Sequence, residues 1–165
     1  MHAGTQRRVH IKPTRPAGPG VWFDLIGDDD PREGSAGWQD VSRPRRQSGV
    51  EWVGQSASAY VLPLLLDGVE VSPGRDQVIE KDIRAVRSWF VKTKKTGEPP
   101  VLAITGPLHF PKSMRWVVAD MVWGAKIRDP GGRRVQQALT LTLKQYLEPS
   151  VVKSPAKKAR HRQGK

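Results

Sequence analysis

The chain has 165 residues, 37% of them hydrophobic and 27% charged, with six tryptophans and no cysteine. That apolar content supports one folded domain and argues against wholesale disorder, while the missing cysteines exclude disulfide staples, thiolate nucleophiles and cysteine-ligated metal sites. The formal net charge is +12, but Arg7, Arg8, Lys12 and Arg15 near the start and Lys153, Lys157, Lys158, Arg160, Arg162 and Lys165 at the end carry ten of those charges with no acid among them, leaving +2 for the body.

Residues 1–20 are polar, basic and rich in proline and glycine, and they read as a flexible arm. Residues 21–149 read as the folded domain and 150–165 as a basic flexible tail. No apolar run is long enough for a signal peptide or a bilayer span, so no membrane anchor is expected. "VWFDLI" (21–26) is a short β-prone run, and "GDDDPREGSAGW" (27–38) follows as a loop of turn residues. Asp28, Asp29 and Asp30 lack the alternating ligand spacing of a calcium loop and read as a solvated acidic loop.

"DVSRPRRQSGVEWVG" (40–54) mixes a basic cluster with a short strand, and "SAYVLPLLLDGVEVS" (58–72) follows as a strand, a turn at Asp67-Gly68 and another short extended piece. Pro63 argues for a bulge or an edge position because proline cannot donate to a ladder. Over about 76–94, Ile79, Ile83, Val86 and Phe90 recur on one helical face, with Val78 and Trp89 beside them. Asp76 is placed to cap this helix, and Gly97 lies beyond its end. "VLAIT" (101–105) is a further strand.

The most patterned stretch is "RWVVADMVWG" (115–124), a turn "AKIRDPGGRR", and "VQQALTLTLKQYLEP" (135–149). In its first limb Trp116, Val118 and Val122 alternate with Val117, Ala119, Met121 and Trp123, so both faces read as apolar. In its second limb Leu139, Leu141 and Leu143 alternate with Thr140, Thr142 and Lys144. The pattern predicts a long antiparallel hairpin. The whole then reads as α+β, a mainly antiparallel β-sheet or partial barrel with one main helix.

Catalysis finds little footing. Of His2, His10, His109 and His161, only His109 lies well inside the domain, and it reads as structural or superficial. There is no phosphate-binding loop, zinc motif or nucleophile elbow, and "DPGGRR" reads as a hairpin turn. The expectation is a non-enzymatic protein without cofactor or metal.

From about Trp38 to Pro149 the chain resembles the tube-like tail proteins of phages and contractile injection systems, in particular the baseplate or tail-hub proteins that often carry a LysM module. The resemblance rests on "SRP" (42–44), "EWVG" (51–54), "YVLPLLLDG" (60–68), the helix, "TGEPPVLAITGPLH" (96–109), "RWVVADMVWG" (115–124) and "RRVQQALTLTLKQYLEP" (133–149). Here the chain stops at a basic segment where such relatives continue into LysM, so peptidoglycan binding is not assigned.

The resemblance implies a partial barrel of the phage tail-tube type and a homo-oligomer. It implies a ring, usually of about six subunits, in which hairpins pair edge to edge. It places the protein in the virion tail, made in the host bacterial cytoplasm. Other tail-tube and hub proteins would flank it, and DNA would pass the lumen without sequence-specific binding along a wall carrying the threonines and Lys144. On this reading Trp116, Val118, Val122, Trp123, Leu139, Leu141, Leu143 and Tyr146 serve the hairpin core or its interface, and Ile79, Ile83, Val86 and Phe90 anchor the helix. The alternative is a nucleic-acid-binding protein acting through its basic terminal arms, with salt-dependent affinity.

Overall fold

The computed structural model describes residues 7–42, 49–68 and 79–148. In chain order these form β1 (Arg8–Arg15), β2 (Val21–Leu25), β3 (Asp30–Arg32), β4 (Trp38–Val41), β5 (Gly49–Trp52), β6 (Ala59–Asp67), α1 (Glu80–Ser88), β7 (Val101–Thr105), β8 (Arg115–Arg128) and β9 (Arg134–Gln145). Every strand pairing is antiparallel. The order β2-β1-β7-β8-β9-β6 returns to β2 and closes a six-stranded barrel, β3 extends β6, and β4 and β5 pair only with each other.

This architecture corrects the α+β expectation. Among the described residues the protein is mostly antiparallel β, a closed rather than partial barrel, with one short helix. Two changes account for the difference. The helix expected over 76–94 is nine residues long, Glu80–Ser88, with Asp76 and the short extended piece expected after Gly68 outside the described residues. The expected arm also contributes a barrel strand. In "RVHIKPTR" Val9, Ile11 and Pro13 occupy alternate positions and point inward, a period-2 signal that the surrounding prolines, glycines and basic residues obscured.

The barrel interior is filled by side chains, as a small barrel requires. Val9 and Ile11 come from β1, Phe23 from β2, Tyr60, Leu62, Leu64 and Leu66 from β6, Leu102 and Ile104 from β7, Trp116 and Val118 from β8, and Leu139, Leu141 and Leu143 from β9. One end is closed by α1. The Arg134 guanidinium grips the Glu80 carboxylate with two bonds of 2.7 Å at the helix start, and Trp89 meets Phe23 edge to face at 6.1 Å beyond its last turn. The other end is closed by the loop after β7, whose Phe110 packs against Tyr60 and Trp116 with ring centroids 5.0 and 5.1 Å apart.

Pro63 lies neither in a bulge nor on an edge, because β6 is paired on both sides. Its carbonyl accepts from the Ile26 N–H at 3.1 Å. Its nitrogen therefore faces the same side, at the seam where β6 exchanges its pairing with β3 (Asp30–Arg32) for its pairing with β2 at Asp24 and Leu25. A missing donor costs least at such a seam.

Candidate assembly surface

The hairpin exists as its pattern predicts, with β8 and β9 in register from Trp116–Gln145 to Arg128–Arg134. Its faces differ from the expectation. Val118 pairs with Leu143 and Asp120 with Thr142, so Ala119 is an extra residue, a bulge that shifts the phase of the strand. Before the bulge Trp116 and Val118 point inward. After it Met121 and Trp123 pack on the core, and Val122 is 56% exposed. The apolar character of both faces thus records one buried face that changes phase, and not a strand buried on both sides.

The eight hairpin residues expected at the core or interface consequently separate. Trp116, Val118, Leu139, Leu141 and Leu143 are buried inside the barrel. Trp123 is half-buried beneath the Arg87 guanidinium, 5.5 Å from its ring centroid. Tyr146, past the end of β9, stacks under Arg15 and accepts a hydrogen bond from it. Val122 lies wholly on the outer surface.

Of the helix residues, Ile79, Ile83 and Val86 are buried as expected, whereas Phe90 is 52% exposed and Trp89 takes its place in the core. The last turn is tight, with Trp89 donating to the Val86 carbonyl and Phe90 to that of Arg87. At three residues per turn, Val86 is followed on its face by residue 89 and not by residue 90. Lys153, Lys157, Lys158, Arg160, Arg162 and Lys165 lie outside the described residues.

The barrel is sealed unevenly. β7 meets β8 only at Leu102–Trp116 and Ala103–Arg115, so among the described residues β8 has no strand partner on that side from Val117 to Arg128. Between its irregularities this edge holds one regular stretch, Asp120–Trp123. The adjoining outer surface is mild in character. Thr140 and Thr142 of β9 are opposite Pro63 and Val61 of β6 on one side and Val122 and Asp120 of β8 on the other. Lys144 is exposed at the end of this row.

The glycine-rich turn at the hairpin tip satisfies itself. Asp129 Oδ1 accepts the Arg133 N–H at 2.8 Å, Asp129 Oδ2 accepts Arg133 Nε at 2.9 Å, and Gly132 adopts a φ of +80°. The Arg133 backbone N–H, with help from its side chain, holds the Asp129 carboxyl below the usual carboxylate range. Arg133 is thus engaged by its own loop, as the hairpin-turn reading expects.

A second surface feature escaped the sequence reading. Trp38 pairs directly with Trp52 across the β4–β5 ribbon. Both rings are exposed, 63% and 58%, together with Val50 and Val53. Hydrogen bonds brace the ribbon from within, Trp52 Nε1 to the Ala36 carbonyl at 2.9 Å and the Val53 N–H to the Gly37 carbonyl at 2.7 Å. Trp22, 59% exposed, stacks on His10 with ring centroids 4.5 Å apart.

The acidic loop is also more than a solvated surface. The Tyr60 hydroxyl donates to Asp29, Arg7 donates to the other oxygen of that carboxylate at 3.1 Å, and the His109 backbone N–H donates to the Tyr60 oxygen at 3.0 Å. Burial works to raise the Asp29 pKa, but the bonds from Tyr60 and Arg7 outweigh it and hold the carboxyl below its ordinary value. Burial, followed by the Asp29 bond, pushes the Tyr60 hydroxyl well up. The network ties the start of β1 and two loops to the barrel wall. The His109 ring is half exposed, 3.5 Å from Glu33.

Among the described residues, no helix is long and apolar enough to cross a membrane. The class that the geometry defines, among the described residues, is a small closed antiparallel barrel with a long open stretch of strand edge on β8 and a separate ribbon of exposed aromatic residues. The chain matches no protein-family model, and no curated protein matches its sequence.

Proposed function

We propose that this chain is a non-enzymatic structural subunit of a phage tail, part of the tail tip, baseplate or tube-adaptor ring, and that its copies assemble into a ring through which DNA passes. The observation that carries the reading is the β8 edge, which among the described residues has no strand partner on the β7 side from Val117 to Arg128. A long open edge is a pairing template, and closed rotational assembly removes it. The threonine row of β9 beside that edge supplies hydroxyls without fixed charge, suited to a hydrated wall along which a polyanion slides without being held.

The nucleic-acid-binding alternative is weakened at the N-terminal end, where three of the four cations expected to form an arm make ion pairs within the domain, Arg7 with Asp29, Arg8 with Asp24 and Arg15 with Glu148. Mass in solution by light scattering, together with quantification of the chain in purified tails, tests the proposal. A ring of about six copies, or stoichiometric recovery in tails, supports it. A monomer that binds nucleic acid with steep salt dependence and never enters a particle overturns it in favour of the alternative.

A further inference from the structure

Four segments meet on the barrel wall where β7 still pairs with β8: the end of β1, the starts of β7 and β8, and the residues just past β9. Between them lies an open cleft of about 230 Å³ lined by Thr14, Arg15, Val101, Arg115, Tyr146 and Glu148. The strand registers fix its surroundings. Lys12 is opposite Ala103 and Ala103 is opposite Arg115, and the Tyr146 N–H donates to the Arg115 carbonyl at 2.8 Å. Two cations therefore flank a small residue in one row across the wall, and Lys144, opposite Val117, is exposed beside that row.

The side chains in the cleft are mostly donors. The Arg15 guanidinium lies over the Tyr146 ring, 5.0 Å from its centroid, and donates to the Tyr146 hydroxyl, which keeps its own proton to give. Arg115 Nη1 donates to the Lys112, Ser113 and Met114 carbonyls at 3.1, 3.1 and 3.2 Å. Those bonds hold the guanidinium at the cleft and leave its Nε and Nη2 without a hydrogen-bond partner among the described residues. The acid lining the cleft is loosely held. Glu148 comes no nearer than 3.7 Å to Arg15, beyond hydrogen-bond reach, and its side chain is 82% exposed.

We propose that this cleft binds a phosphate group. Its oxygens take Arg15 and Arg115 together with the Tyr146 hydroxyl, and Glu148 is the internal anion that the phosphate displaces. Phosphate fits better than a carboxylate because it offers three or more oxygens to donors arriving from separate segments. The site goes beyond the ring reading and does not depend on it. It also differs from binding by basic arms, since its donors are fixed on the barrel wall. The phosphate comes either from a free phosphorylated compound or from the backbone of a nucleic-acid strand lying along Lys12 and Lys144.

Isothermal titration of the full-length chain with inorganic phosphate and with pyrophosphate tests the site in wild type, Arg15→Gln, Tyr146→Phe and Glu148→Gln. Arg115 is left in place because its three carbonyl bonds brace the loop before β8. Arg15→Gln is expected to bind roughly tenfold more weakly, the worth of one charged contact, and Tyr146→Phe to weaken binding less. Glu148→Gln is expected to bind about twofold to fivefold more tightly, because the competing ion pair is an exposed one. Anisotropy of a labelled single-stranded oligothymidylate then assigns the source. Weaker oligonucleotide binding in Arg15→Gln, with competition by pyrophosphate, identifies backbone phosphate, and equal oligonucleotide binding by all variants identifies a free phosphorylated compound. Phosphate binding that Arg15→Gln leaves unaltered, binding that Glu148→Gln does not tighten, or none in either wild type or Glu148→Gln at millimolar phosphate overturns the proposal.

Discussion

The barrel and the ribbon use the same residue type in opposite ways. Trp89 and Trp116 are almost fully buried, whereas Trp38 and Trp52 each expose more than half of their surface. These two barrel tryptophans point inward, where their neighbours close over them, unlike Trp22, which lies on the barrel exterior. Ribbon tryptophans lie on two strands with no third layer, and a two-layer arrangement is what buries an aromatic face. Large apolar side chains therefore mark the fold where they point into the barrel and candidate contacts on the ribbon.

The sharpest break of this comparison lies within β9. Leu141→Lys puts a charge among Tyr60, Leu62 and Leu139 with no partner, and a loss of more than about 4 kcal/mol is expected, enough to prevent folding. Thr140→Lys, one residue away on the outer face, is expected to change stability by no more than about 0.5 kcal/mol. Denaturant unfolding followed by circular dichroism checks both. If the two variants behave alike, the inward face is misassigned.

A second contrast lies at the end of α1. Trp89→Ala empties a site against Phe23 and is expected to cost about 3–5 kcal/mol, while Phe90→Ala is expected to cost less than about 1 kcal/mol. Equal losses would return the helix face to the simple 3.6-residue spacing.

Smaller effects are expected from the Tyr60 network. Tyr60→Phe leaves the Asp29 carboxylate and the His109 N–H without their shared partner and is expected to cost about 1–3 kcal/mol. The pH dependence has a definite sign. The folded pKa of Asp29 is lowered, so its contribution is fully present above the unfolded value near 4 and is lost as pH falls through the lower folded value. Acid titration of stability in that window is expected to be steeper for wild type than for Tyr60→Phe, and identical slopes would sever Tyr60 from Asp29.

The smallest effect belongs to the ribbon. Trp38→Ala and Trp52→Ala are each expected to leave monomer stability within about 0.5 kcal/mol, by thermal or denaturant unfolding. A loss as large as that at Trp89 would make the ribbon part of the barrel fold and remove the basis of the comparison.

Much of the fold was legible in short patterns. The alternation in "LTLTL" identifies the inward leucines of β9, "VLAIT" coincides with β7, and the apolar spacing of Ile79, Ile83 and Val86 identifies the buried helix face. The candidate surface was much less legible. A bulge at Ala119 reverses the side-chain phase of β8 without a Gly or Pro to announce it, so Val122 was grouped with the wrong neighbours. The loop aspartates looked alike in sequence, yet only Asp29 reaches Tyr60, from which it is separated by 31 residues.

Local sequence determined where apolar residues alternate, where the hairpin turns and that the interior would be leucine, valine and aromatic. These follow from backbone periodicity and side-chain hydration, which act over a few residues. Tertiary structure alone decided that β1 belongs to the barrel, that β2 closes onto β6, that β8 outruns β7 and keeps an open edge, and that the tryptophans of β4 and β5 remain outside. Those outcomes depend on which distant segments meet and in what register, a choice settled by the burial and hydrogen-bond satisfaction of the whole chain at once.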